Sequence, residues 1–283
     1  MPGRPVTIGA TVAPAAPGSG IPTGSVTFDP GDGTPPVTAP LTAGSASITH
    51  TYAGTSGSPY TITAVYSGDA DFTPSTGTDT QTVGRAATTT AVVSAPDPSS
   101  IGQSVTLTAT VASVSPGAGT PTGTVTFSFG DGTPTVTAPL SGGVATIAHT
   151  YTTKTGSPFP ITATYNGDTN FSASSGTDTQ TVNKTATTTS AVSSPNPSLV
   201  SDPVTVSATV SPVAPGTGTP TGTVTLAITD RTPQVVTLVN GTASATFSPL
   251  PKGTLTVTAN YNGDVNYATS SASIIQTVTP GQA

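Results

Sequence analysis

Pro22-Thr23-Gly24-Ser25-Val26-Thr27-Phe28 returns as Pro121-Thr122-Gly123-Thr124-Val125-Thr126-Phe127 and again as Pro220-Thr221-Gly222-Thr223-Val224-Thr225-Leu226, at a spacing of 99 residues each time. A second landmark, Tyr66-Ser67-Gly68-Asp69, recurs as Tyr165-Asn166-Gly167-Asp168 and Tyr261-Asn262-Gly263-Asp264, first 99 and then 96 residues on. The third copy has therefore lost three residues between landmarks. A period near 100 residues is too long for a solenoid unit and matches one whole sandwich domain. The sequence predicts three tandem repeats, at residues 1–84, 85–183 and 184–283, joined through Gly84-Arg85 and Asn183-Lys184. Linkers this short should restrict bending between repeats.

Alternation decides the local structure. In the second repeat Val105, Leu107, Ala109 and Val111 share one strand face and Thr106, Thr108 and Thr110 the other. The same period appears in Val125, Phe127, Phe129 and in Ile161, Ala163, Tyr165. Further strands are expected near Thr88–Val93, Val136–Leu140, Val144–His149 and Thr177–Val182, seven in all. Gly130-Asp131-Gly132, Gly142-Gly143 and Asn240-Gly241 supply the positive φ of tight hairpins, so the sheets should be antiparallel. The predicted fold class is all-β: three immunoglobulin-like antiparallel sandwiches.

Composition supports this and excludes several functions. All 12 acidic residues are Asp and none is Glu, which removes a strong helix former and leaves one that favours turns. A net charge of −6 with six unclustered basic residues offers no footprint for nucleic acid and no polybasic membrane patch. No apolar run reaches the length of a membrane span, and Met1-Pro2-Gly3-Arg4 opens no hydrophobic signal core. With no Cys, each domain must rely on packing and strand pairing.

Pro-Thr-Gly-Thr-Val-Thr-Phe at 121–127, Leu-Ser-Gly-Gly-Val-Ala-Thr at 140–146 and Ile-Thr-Ala-Thr-Tyr-Asn-Gly-Asp-Thr-Asn-Phe at 161–171 resemble bacterial Ig-like repeat domains of surface proteins. The resemblance spans nearly the whole chain. Repeats 1 and 2 add Gly31-Asp32-Gly33-Thr34 with His50-Thr51-Tyr52, and Gly130-Asp131-Gly132-Thr133 with His149-Thr150-Tyr151, which look like the PKD-type variant of the sandwich. Repeat 3 departs from it, with Thr229-Asp230-Arg231-Thr232 and Ser248-Pro249-Leu250 in those places.

Candidate chemistry is sparse. Asp69, Asp168 and Asp264, each after Gly68, Gly167 or Gly263, are read as turn caps accepting backbone N–H bonds, with Phe72, Phe171 or Tyr267 plugging the sandwich end. Only repeat 1 has a second carboxylate there, Asp71; Asn170 and Asn266 follow in the others, so no calcium site and no other metal site is predicted. His50 and His149 lack partners for metal binding or catalysis and are read as structural. The hydroxyls have no recurring base beside them, so no catalytic residue and no cofactor is expected. An isopeptide cross-link needs a buried Lys, yet the first 84 residues contain none, and Lys154, Lys184 and Lys252 fall in turns or linkers. Tyr66, Tyr165 and Tyr261 share the inward phase of Ile62, Ile161 and Val257 and are assigned to the core rather than to a sugar-binding face.

The expected function is an extracellular structural or adhesive one at a bacterial surface, a rod-like spacer or fibre-forming segment without enzymatic activity. The rival expectations are a virion decoration or fibre protein and a carbohydrate-binding accessory region of a larger secreted enzyme. A surface glycan or a protein receptor would be the partner in an adhesive role. Val6-Thr7-Ile8 aligns with Val105-Thr106-Leu107, which leaves the first repeat without the strand that opens repeats 2 and 3. The edge carrying Val6, Ile8, Ala10 and Val12 is then a template for strand addition, to be filled by a neighbouring Ig-like domain that precedes it or by another copy, or else covered by a loop.

Overall fold

β-branched side chains pack well on a pleated surface, and Gly and Pro interrupt their runs at short intervals, so this chain forms many short strands. The computed structural model describes residues 1–281, with no helix among them. The first repeat holds β1 (Pro5–Thr11), β2 (Ser25–Asp29), β3 (Val37–Pro40), β4 (Ser45–Thr51), β5 (Tyr60–Tyr66) and β6 (Ser75–Gln81). The second holds β7 (Thr88–Ala95), β8 (Ser99–Ser100), β9 (Ser104–Ser113), β10 (Thr124–Ser128), β11 (Val136–Pro139), β12 (Val144–Thr150), β13 (Phe159–Tyr165), β14 (Ser174–Gln180) and β15 (Val182–Asn183). The third holds β16 (Thr187–Ser194), β17 (Ser198–Leu199), β18 (Val204–Pro212), β19 (Thr223–Ile228), β20 (Gln234–Thr237), β21 (Thr242–Phe247), β22 (Gly253–Tyr261) and β23 (Ser270–Thr279).

In the second repeat the sheet β11-β10-β13-β14 packs on β12-β9-β7, and in the third β17-β23-β22-β19-β20 packs on β16-β18-β21. Each sandwich closes over its own core. Val105, Leu107 and Ala109 from one sheet meet Val125, Phe127 and Tyr165 from the other, all without exposed surface. Full burial of an aliphatic or aromatic side chain contributes roughly 1.5–3 kcal/mol, and this interdigitated layer is the main source of stability. Val224, Leu226, Val257 and Tyr261 repeat the arrangement in the third repeat.

Two local features differ from the alternation reading. The last full strand of the second repeat is Ser174–Gln180 rather than Thr177–Val182, because Val182 and Asn183 leave it to pair in parallel with Ser99 and Ser100. Pro96 and Pro98 have no N–H to donate, so the ladder of β7 stops there and the chain passes to the last strand. The third repeat does the same, with Ser198 beside Val278. The second feature is a hairpin turn at Ala43-Gly44, with φ of 51° and 78°, equivalent to Gly142-Gly143 (59°, 80°) and Asn240-Gly241 (52°, 75°). Three different residues thus occupy one left-handed position, and only Ala43 carries the full Cβ penalty.

The first repeat has the four-stranded sheet β3-β2-β5-β6, but opposite it lies only β1-β4. Pro5 to Thr11 pair with Thr51 to Ser45, and among the described residues no strand lies beside the other edge of β1. The described residues of this repeat include no counterpart of β7. In consequence β6 is exposed at every position before Gln81, whereas β14 alternates between half-buried and exposed.

Candidate functional sites: repeat joints and an open sheet edge

The recurrent Gly-Asp turns are built by saturation of a carboxylate. Asp69 Oδ1 accepts the N–H groups of Asp71 (2.9 Å) and Phe72 (2.8 Å), while Oδ2 accepts Thr23 N (2.8 Å) and Thr23 Oγ1 (2.7 Å). Asp168 repeats this with Asn170 N, Phe171 N, Thr122 N and Thr122 Oγ1. Asp264 does so with Asn266, Tyr267 and Thr221. Burial opposes ionisation of Asp168 and Asp264, but these donors outweigh it and hold both carboxyls below the ordinary value. At Asp69 the Thr23 hydroxyl and N–H lead in the same direction. With four donors on two oxygens, little lone-pair capacity is left for a cation. Gly68, Gly167 and Gly263 take positive φ beside them, as do Gly31, Gly33, Gly130 and Gly132 in the other turns.

Asp32 and Asp131 have a role that sequence reasoning missed. His50 Nε2 lies 2.8 Å from Asp32 Oδ2, and His149 Nε2 lies 2.7 Å from Asp131 Oδ2. The other oxygen of Asp131 accepts Thr133 N and Oγ1. The His149 ring stacks on Phe129 with centroids 3.8 Å apart and meets the edge of Tyr151 at 4.6 Å. Tyr151 in turn stacks on Phe159. The pair thus pins a turn to an aromatic column at the end of the sandwich. A signal existed in the sequence: the glycine turn and the His-Thr-Tyr run disappear together in repeat 3, where Arg231 Nε donates instead to Pro249 O.

The joints between repeats use the same atoms twice. Thr55 N donates to Asn170 Oδ1 (2.9 Å), and Lys154 N, 99 residues after Thr55, donates to Asn266 Oδ1 (2.9 Å). On the other side Ala118 N donates to Pro2 O (3.3 Å), and Thr217 N donates to Ile101 O (3.0 Å). Glycine is required here: Gly3 and Gly102 have φ of 77° and 75°, and a Cβ on them would meet Ala118 Cβ at 2.6 Å or Thr217 Oγ1 at 2.0 Å. The linker residues Ala86 and Thr185 are fully buried, their N–H groups bonded to Asn170 O and Asn266 O. In repeat 1 the position of Asn170 is held by the exposed Asp71.

At the open edge, Ile8 is buried while Val6, Ala10 and Val12 are half-buried, although their counterparts Val105, Ala109 and Val111 are buried. A cleft runs between β1 and β6, floored by Phe28 and Ile62 and walled by Gly77 and Asp79. Among the described residues no group of three or more His, Cys, Asp or Glu side chains comes together to hold a metal, and no helix is long and apolar enough to cross a membrane.

A family model described as bacterial Ig-like domain (group 3) matches residues 1–84, 91–183 and 189–279, including the two stretches that carry the Gly-Asp-Gly-Thr and His-Thr-Tyr runs. No curated protein sequence matches the chain. Similar solved structures include the full ectodomain of mouse nectin-like molecule 4, at 12% identity over 100% of this chain and 96% of that one, with a TM-score of 0.35. Three consecutive domains of titin align at 10% identity over 98% and 94%, with a TM-score of 0.38. The Escherichia coli adhesin FdeC aligns at 14% identity over 99% and 93%, with a TM-score of 0.30.

Proposed function

Because the chain belongs to the bacterial Ig-like domain (group 3) family over nearly all of its length, we propose that it is an extracellular structural element, a stiff spacer of three modules that holds what it carries away from a bacterial surface. The observation that carries this reading is the joint. Two hydrogen-bonded struts, Thr55 to Asn170 and Pro2 to Ala118, lie at the first boundary, and their equivalents lie at the second. A flexible string of domains needs neither.

The surface agrees with a passive role. Charged residues make up 6% of the chain, the outward strand faces are largely Thr and Ser, and the carboxylates and histidines in its turns are engaged in structural bonds. Such a surface offers reach and inertness rather than chemistry. At about 3.3 Å per residue, strands and loops give about 35 Å per module and on the order of 100 Å for the array. X-ray scattering of the purified chain should return a maximum dimension of that order with the profile of a rod; a compact particle would overturn the spacer reading. Antibodies to the repeats should label intact cells of the source bacterium, and labelling only after lysis would remove the extracellular assignment.

A further inference from the structure

We propose that the cleft between β1 and β6 in the first repeat binds an extended strand with the pattern of β7, three threonines, two small or aliphatic residues and then Val-Ser, supplied from outside residues 1–281. This goes beyond the spacer reading and stands on a different set of residues. The second repeat displays the complex. There β7 lies along β9 in eight register pairs, from Thr88 opposite Ser113 to Ala95 opposite Thr106. It is also held from β14: Ser174 Oγ bonds Thr88 Oγ1 and Thr90 Oγ1 (2.7 Å each), and Asp178 Oδ2 accepts Ser94 N and Ser94 Oγ (2.8 Å each). Gln180 Nε2 donates to Pro96 O at 3.0 Å.

The first repeat keeps every one of these groups with nothing to hold. Ser75-Thr76-Gly77-Thr78-Asp79-Thr80-Gln81-Thr82-Val83 differs from Ser174-Ser175-Gly176-Thr177-Asp178-Thr179-Gln180-Thr181-Val182 only at its second residue. Asp79 turns its Oδ1 onto the N–H of its own neighbour Thr80, and Gln81 Nε2 reaches only Thr82 O. Gly77 is the most telling. A Cβ on Gly176 would meet Thr90 O at 2.3 Å, so glycine is needed where β7 passes; around Gly77 there is nothing within 4 Å. A glycine in an exposed strand weakens it and normally marks close approach of another backbone.

The register follows from the 99-residue offset. The incoming residues that correspond to Val92 and Ser94 sit opposite Ala10 and Ile8, and the Ser94 equivalent reaches Asp79. Pro14 falls opposite the first threonine and is compatible with pairing, since Pro212 faces Thr187 in the third repeat. Neither described segment of this pattern is free to fill the cleft, since β7 is seated on β9 and β16 on β18.

The test is a labelled peptide of residues 87–98 titrated against the full chain by fluorescence polarisation, with hydrogen exchange of the β1 amides read in parallel. Saturable binding that protects the Ile8 and Ala10 amides is expected. A scrambled peptide, Gly77→Val or Asp79→Ala should weaken it by about tenfold or more, the size of one charge-assisted hydrogen bond. Fusing residues 85–99 directly ahead of Met1, which aligns with Ser100, should raise the unfolding midpoint of the first repeat, and Asp79→Ala should remove much of that gain. Equal binding of the scrambled peptide would overturn the proposed pattern. Absence of both binding and stabilisation would overturn the site, and concentration-dependent self-association protecting β1 would make a second copy the occupant. None of these outcomes alters the scattering profile of the monomer, which tests the spacer reading alone.

Discussion

Asn170 Oδ1 in the second repeat accepts the backbone N–H of Thr55 in the first at 2.9 Å, across 115 residues of sequence. Its own N–H stays bonded to Asp168 Oδ1, so Asn170→Ala removes this bond and leaves the turn, with the Thr55 hydroxyl still donating to Thr169 O at 2.7 Å. Loss of one such bond costs about 1 kcal/mol of coupling. With Thr55→Val added, which removes the hydroxyl bond, residual dipolar couplings should then report larger relative motion of repeats 1 and 2, while repeats 2 and 3 keep their order. Undiminished order between repeats 1 and 2 in the double variant would mean that other contacts hold the joint.

Acid should destabilise the array through its turn carboxylates. Burial pulls the Asp131 carboxyl up, but bonds from Thr133 and His149 outweigh it and leave it below the ordinary value, as the Thr122 and Thr221 donors do for Asp168 and Asp264. A depressed folded-state value contributes stability that is fully present above the unfolded value of about 4 and is lost as pH falls through the folded one. Thermal midpoints should therefore be insensitive to these groups above about pH 5 and fall below about pH 4. Asp168→Asn should lower the midpoint at neutral pH and make the acid limb shallower. An unchanged acid limb would assign the loss to other groups.

Chelation should have no effect. The oxygens of Asp69, Asp168 and Asp264 are each occupied by donors from the chain itself. A ligand that binds only the folded state stabilises it by mass action, so a structural calcium ion would show as a lower midpoint in EDTA. Calorimetry with and without EDTA should superimpose; a shift of several degrees would require a cation site.

Ala43 stands at φ 51° where the other repeats place Gly142 and Asn240. A left-handed residue with a Cβ costs about 1 kcal/mol, and Asn tolerates the region better. Ala43→Asn should thus stabilise the first repeat by about 0.5–1 kcal/mol in urea unfolding, with the slope unchanged. A destabilised variant would show that the turn is set by contacts other than its own backbone preference.

Much of the fold was legible because its cause is periodic. Phe127, Tyr165, Val105 and Leu107 fall on inward phases, and the structure buries them completely. The unpaired edge of β1 was equally plain, since Val6 aligns with Val105 and residues 1–5 are too few for a counterpart of Thr88–Ala95. What escaped had no period to betray it. Two-residue strands such as Ser99–Ser100 are shorter than any alternation, and their parallel pairing depends on where prolines stop a ladder. The His149 to Asp131 contact joins residues 18 apart through a turn and a column of rings, and only their joint loss in the third repeat hinted at it. Asn170 looked like an ordinary turn residue. Its function depends on a neighbour in a different sandwich, which no local window contains.

The loop that carries Thr55 and Lys154 has no full equivalent in the third repeat. There Ser248-Pro249-Leu250-Pro251-Lys252 takes a shorter path, and Leu250 is buried in place of Tyr151. The array therefore has polarity. The amide that Asn170 and Asn266 each capture comes from the longer loop of repeats 1 and 2, and the acceptor position of repeat 1 carries Asp71 instead of Asn. In the vocabulary of polymers, the joint is head-to-tail: each repeat presents a donor loop at one end and an acceptor turn at the other, and the two ends are not interchangeable.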